Sequence, residues 1–121
     1  MVEDFHNAFG IENRHKPTAE LSQAQQELRY RLMAEENDEY LEAVKNNDLV
    51  EIADALGDQL YILCGTILKH GLQDKIAAVF QEIQRSNMSK LDENGKPIYN
   101  DAGKVMKGPN YFKPDLSKFV S

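Results

Sequence analysis

Between residues 18 and 85 the apolar residues recur at steps of three and four, the spacing of a single helix face. In one run, Leu28, Leu32, Glu36, Glu39 and Ala43 fall on one stripe. In the next, Ile52, Leu56, Leu60, Leu63 and Ile67 do the same. The punctuation agrees. Pro17 and the capping-box pattern Ser22-x-x-Gln25 open a long helix that runs to about Lys45. Asn46 and Asn47 close it, and Asp48-Leu-Val-Glu51 caps the next, which continues to His70 and stops at Gly71. His70 is expected on the last carbonyls of that helix. So short a connection makes the two helices antiparallel neighbours. A short helix over 2–9, presenting Val2, Phe5 and Phe9, precedes them. A further one is predicted from Leu72 to Arg85, with Ile76, Val79, Phe80 and Ile83 on its inner face.

The pattern changes at Ser86. Gly, Asn, Pro and Asp dominate, with turns at Glu93-Asn-Gly95 and Asp101-Ala-Gly103. Pro97-Ile-Tyr99 and Lys104-Val-Met106 can pair as a small hairpin. Tyr99, Tyr111, Phe112 and Phe119 are expected to tack the tail onto helices. The expected fold is all-α: a helical hairpin, a further helix and an irregular C-terminal tail. One domain is expected over 1–121, with a helical core over about 2–86 and a basic tail over 87–121. Half a bundle leaves apolar faces open, so a homodimer or homotetramer should complete a four-helix-bundle-type core.

Two acidic clusters break the apolar pattern: Glu35, Glu36 and Glu39 before the hairpin turn, and Glu51 and Asp54 after it, with Asp58 one turn on. Residues three and four apart share a face, and antiparallel packing brings the clusters roughly level. Acids in line with a core face are costly to bury unpaired. A bound hard cation that takes oxygen ligands, Mg²⁺, would offset them. The alternative is a solvated face with Arg31 serving Glu35 and Lys45 serving Glu42.

Charge adds to this picture. The net charge is −6, which argues against general nucleic-acid binding. Residues 1–84 hold 7 Lys/Arg and 16 Asp/Glu, whereas residues 85–121 hold 7 and 4. An acidic body with a basic tail suits a metal-bridged polyanion, or a tail that docks on an acidic body. No apolar run approaches the length of a membrane span, and the N-terminus has no signal-peptide pattern. The single cysteine, Cys64, reads as a small buried hydrophobe, and a cytoplasmic location fits. His6 and His15 read as surface or packing histidines.

In order along the chain, Leu28-Arg-x-Arg-Leu-Met-Ala-Glu-Glu36, Glu51-x-x-Asp54-Ala-Leu-Gly-Asp58, Ser86-Asn-Met-Ser-Lys90 and Gly103-Lys-Val-x-Lys-Gly-Pro109 resemble the all-α nucleoside triphosphate pyrophosphohydrolases, the MazG-like superfamily. The tail is similar to its phosphoribosyl-ATP pyrophosphohydrolase-like branch. The resemblance implies Mg²⁺-dependent (or Mn²⁺-dependent) cleavage between the α and β phosphates of a nucleoside triphosphate. It makes Glu36, Glu39, Glu51 and Asp54 metal ligands, and Glu35 a further ligand or the group that orients the attacking water. Asp58 is placed just outside the ligands or on that water. Asn87 is expected on base or sugar and Lys90 on phosphate, with Lys104 and Lys107 as further phosphate neighbours; their alternative is a helix cap and surface lysines.

Three other readings stand beside this one. The first is hydrolysis of phosphoribosyl-ATP, and the second a non-catalytic nucleotide-binding helical module. The third, a di-iron bundle, needs Glu-x-x-His pairs, and the histidines at 6, 15 and 70 lie away from both clusters.

Overall fold

The computed structural model describes residues 1–120. Five helices follow in order: α1 (Val2–Ala8), α2 (Gln23–Lys45), α3 (Leu49–Lys69), α4 (Ile76–Met88) and α5 (Ser117–Val120). The described residues contain no strand, only an isolated antiparallel bridge between Tyr99 and Val105. The fold is all-α, as the periodicity requires. The chain packs as two compact units, Met1–Gln73 and the residues from Asp74 onward.

In the first unit, α2 and α3 form the antiparallel hairpin, and α1 packs on α3. The caps act where the sequence puts them. Ser22 accepts from the Gln25 backbone N–H at 3.2 Å, and Asp48 from that of Glu51 at 3.1 Å. Asn47 turns the corner with φ of 51°, a left-handed conformation that asparagine tolerates. Ala43 and Ala55 are buried where the helices meet, and their small side chains allow close approach.

The open apolar face expected of half a bundle lies on α3, and two other expectations need correction. The α3 stripe of Leu56, Leu60 and Leu63 does not face α2: Leu60 is 62% exposed, while Ala55, Gly65, Leu68 and Lys69 are buried. α3 is apolar around much of its circumference, so small Ala55 and Gly65 can take close contacts while Leu56, Leu60 and Leu63 look outward. The fourth helix begins at Ile76 rather than Leu72. Gly71 adopts φ of 66°, its N–H donates to Leu68 O and that of Leu72 to Ile67 O. This paired motif uses Leu72 to close α3. His70 does not serve the last carbonyls through its ring. Its Nδ1 lies 2.8 Å from Thr18 O, and the Thr18 N–H donates to His70 O, so the segment before α2 is tied to the end of α3. That segment is further held by Arg14 N–H on Leu68 O and by Gln73 Nε2 on Arg14 O at 2.6 Å. His6 is a packing histidine, 2% exposed and paired with Asn13 Oδ1.

In the second unit, α4 turns Glu82 and Ser86 inward and leaves Phe80, expected on the inner face, 73% exposed. Glu82 binds Arg85 at 2.8 Å and accepts from the Asp115 backbone N–H at 2.9 Å. The Arg85 guanidinium lies 4.4 Å from the Phe112 ring centre, and Ser86 Oγ donates to Phe112 O. These contacts, rather than aromatic packing alone, fix the tail to α4. The predicted hairpin is present as a minimal pair of contacts: Asn100 N–H donates to Lys104 O and Met106 N–H to Ile98 O.

Candidate active site

The hairpin sets the register of the acids. Gln59 on α3 donates to Asn37 Oδ1 on α2 at 2.9 Å, so the helices are pinned side by side at that level. Glu36, Glu39 and Asp58 each place one carboxylate oxygen within 4.8 Å of the others. Glu51 and Asp54 line an adjoining cavity of about 230 Å³ with Glu39, Glu42, Ala43, Asn46 and Ala55. Glu39 belongs to both groups and joins them. Glu35 is exposed and lies in neither.

None of these carboxylates has a Lys or Arg nitrogen within 4 Å among the described residues. The surface pairs Arg31–Glu35 and Lys45–Glu42 do not form. Glu36 is the acute case, because its Oε2 is buried and has no hydrogen-bond partner. Burial, then the contact with Glu39 and the charges of Asp58 and Asp54, pushes the Glu36 carboxyl up to about 7. An acid held this far above its ordinary range and facing other acids is electrostatically incomplete.

The donor set suits a hard divalent cation. Mg²⁺ takes oxygen ligands at ~2.1 Å, so oxygens on opposite sides of one ion sit ~4.2 Å apart. The three oxygens lie within 4.8 Å of one another, so they are near enough to share one such ion after side-chain movement. Glu36 Oε2, otherwise orphaned, would gain a partner. Asp58, expected outside the ligand set, is one of the three most tightly grouped acids. Glu51 and Asp54 stand beside Glu39 in the adjoining cavity.

The tail residues singled out from sequence belong to the second unit. Asn87 is exposed near the end of α4. The Lys90 carbonyl accepts from the Gly108 N–H, the Lys104 carbonyl from Asn100 N–H, and the Lys107 ammonium sits 4.8 Å from the Tyr111 ring centre.

Sequence reasoning missed Gln59 and Asn37, as well as two buried cations, Arg29 and Lys69. Arg29 precedes Glu36 by two helical turns, on the same face of α2, and that position was the available signal.

Residues 2–87 match the phosphoribosyl-ATP pyrophosphohydrolase family. The chain belongs to that family. It is a pyrophosphohydrolase. Among solved structures, it is similar to a protein from Exiguobacterium sp. 255-15 provisionally named an NTP pyrophosphohydrolase. The two share 24% identity with a TM-score of 0.51, over 93% of this chain and 86% of the other. At that identity the likeness supports the fold. No curated protein matches the chain. No helix of this pyrophosphohydrolase, among the described residues, is long and apolar enough to cross a membrane.

Proposed function

We propose that this pyrophosphohydrolase is Mg²⁺-dependent and cleaves a (deoxy)nucleoside triphosphate between the α and β phosphates. One water is consumed, and a nucleoside monophosphate and pyrophosphate are released. The observation that carries the reading is the convergence of unpaired acids on the hairpin, with Glu36 Oε2 buried and partnerless. Family membership supports the reaction class.

In this reading Glu36, Glu39, Glu51 and Asp54 hold the metal. Bound Mg²⁺ would neutralise charge on the triphosphate and make the attacking water more acidic. Asp58, on α3, is assigned to accept the proton of that water; its oxygen within 4.8 Å of those of Glu36 and Glu39 on α2 supports this role. Glu35 keeps the outer role that the resemblance gives it, as an added ligand or an orienting group. For Asn87, Lys90, Lys104 and Lys107 the assignment to substrate rests on sequence resemblance alone. Their removal would raise KM more than it lowers kcat.

A second copy of the chain would complete the bundle. Leu56, Leu60 and Leu63, at helical spacing on α3, are all exposed in the single chain and suit such a partner.

A second reading, phosphoribosyl-ATP as substrate, is favoured by the family match over residues 2–87. One panel separates the two. Purified protein with Mg²⁺ is given each common nucleoside triphosphate, each deoxynucleoside triphosphate and phosphoribosyl-ATP, and pyrophosphate and monophosphate are measured. The proposal predicts fastest turnover on one or more triphosphates. Turnover confined to phosphoribosyl-ATP replaces it with the second reading, and no pyrophosphate from any of them refutes both.

A further inference from the structure

The first unit holds a second charged group that the carboxylate site does not use. Arg29 on α2 and Lys69 on α3 are 8% and 5% exposed. Neither has a carboxylate oxygen within 4 Å among the described residues. Arg29 Nε is buried with no acceptor. The guanidinium packs against Gly65, where a Cβ would stand 2.8 Å from Nη1 and 3.0 Å from His6 Nε2. Glycine at that position makes the room for it. Among the described residues Lys69 Nζ donates only to the Glu12 carbonyl, at 2.9 Å, and the carbonyl of Lys69 itself accepts from Arg14 Nη1.

Both cations line a cavity of about 290 Å³ with Gly10, Ile11, Glu12, Gln25 and Leu28. Glu12 is the acid nearest to hand, and its side chain is 71% exposed and 3.8 Å from Arg14 Nε. That carboxylate is therefore near Arg14 and largely in solvent, and it pairs directly with neither buried cation. Burial lowers the pKa of both Arg29 and Lys69; Glu12 raises that of Lys69, while Arg14 and Arg29 lower it further.

Burying like charges without counterions is costly, and a chain can hold them cheaply only if something negative comes to them. A guanidinium fork beside an ammonium matches the oxygens of a phosphate group, and Gln25 adds an amide at the same wall. We propose that the cavity between Arg29 and Lys69 is a binding site for a phosphate-class oxyanion, separate from the carboxylate site on the same helix pair. Free inorganic phosphate and the phosphate of a nucleotide share this chemistry.

The test is thermal unfolding and calorimetric titration of the full chain in metal-free buffer, where the acidic cluster repels anions. Inorganic phosphate is the probe, sodium chloride at equal ionic strength the control, and a nucleoside monophosphate the competitor. Saturable stabilisation by phosphate is expected. Arg29→Gln and Lys69→Met should each weaken it by at least about tenfold, the scale of one lost charge-assisted hydrogen bond. Glu39→Gln should leave it intact, whatever that change does to turnover. No saturable response in the wild type, an unchanged response in Arg29→Gln, or its loss in Glu39→Gln overturns the proposal. Should the variants fail to fold, the Nε resonance of Arg29 in the wild type decides: it moves with phosphate or the proposal is wrong. Competition by the monophosphate identifies a nucleotide as the source of the anion, and its absence identifies free phosphate; both support the site.

Discussion

Glu36 on α2 and Asp58 on α3 bring carboxylate oxygens within 4.8 Å of each other, with no cationic side chain within 4 Å among the described residues. Two acids from two helices are held face to face by packing that serves other residues. Ala43 and Ala55 set the closeness of the helices, and Gln59 on Asn37 fixes their level. The fold therefore bears an electrostatic cost at this point, one that a bound divalent cation would remove.

That cost has a pH signature. Folding raises the Glu36 carboxyl from 4.5 to about 7, so folding favours its protonated form. Its contribution to stability is complete below about 4.5 and is lost as pH rises through about 7. A cation binds the ionised form, so metal binding at pH 6 should release a proton from this group and at pH 8 almost none. Titrating Mn²⁺ in buffers of different ionisation enthalpy measures the proton count. Equal release at both pH values would remove Glu36 from the metal site.

The second unit should respond to acid in the opposite sense. The Arg85 side chain, and then the Asp115 backbone N–H, hold the Glu82 carboxyl down at about 2. Its contribution is complete above the ordinary value of 4.5 and is lost as pH falls towards 2. Glu82→Gln should therefore lower stability at pH 7 and cost almost nothing at pH 2. Thermal melts of both proteins at the two pH values check this; a constant difference would mean that the charge of Glu82 is not what matters.

Gly71 should tolerate no side chain. Its φ of 66° is left-handed, and a Cβ there would run into the Lys16 backbone carbonyl. Gly95 has a similar φ of 73° but open space around it. Gly71→Ala is expected to cost more than ~2 kcal/mol, the left-handed strain plus a backbone clash, and Gly95→Ala only ~1 kcal/mol, the strain alone. Denaturant melts of the two variants give the comparison, and equal losses would contradict it.

The hairpin, both caps and the two acidic clusters were legible because they rest on local rules: spacing, capping chemistry and a turn too short to allow anything but antiparallel helices. Which side of α3 meets α2 was not legible, for a physical reason. With apolar residues on most sides, periodicity alone does not say which side meets α2, and Ala55 and Gly65 took the contact because they are small. The start of α4 was misread because Leu72 is recruited into the cap of α3. Arg29 and Lys69 were passed over because a charged residue on a helix is read as solvated unless tertiary packing is known.

The outward face of α3 predicts self-association. Leu56, Leu60 and Leu63 are 48%, 62% and 48% exposed, so a partner that covers them would gain roughly half of the ~1.5–3 kcal/mol that full burial of each leucine gives, set against the cost of association. Light scattering should give two or four times the 13.8 kDa chain mass. Leu60→Asp should shift it towards one. A wild type that stays at the chain mass at micromolar concentration would count against the bundle.

Product analysis of nucleotide turnover with and without Mg²⁺, in the wild type and in Glu39→Gln and Asp54→Asn, bears most directly on the role of the hairpin acids. The expected result is pyrophosphate and monophosphate in equal amounts only when Mg²⁺ or Mn²⁺ is present, with a loss of roughly 10²–10³-fold or more in each variant while the helical spectrum is kept. Orthophosphate as the product, turnover without a divalent cation, or full activity in both variants would contradict the account.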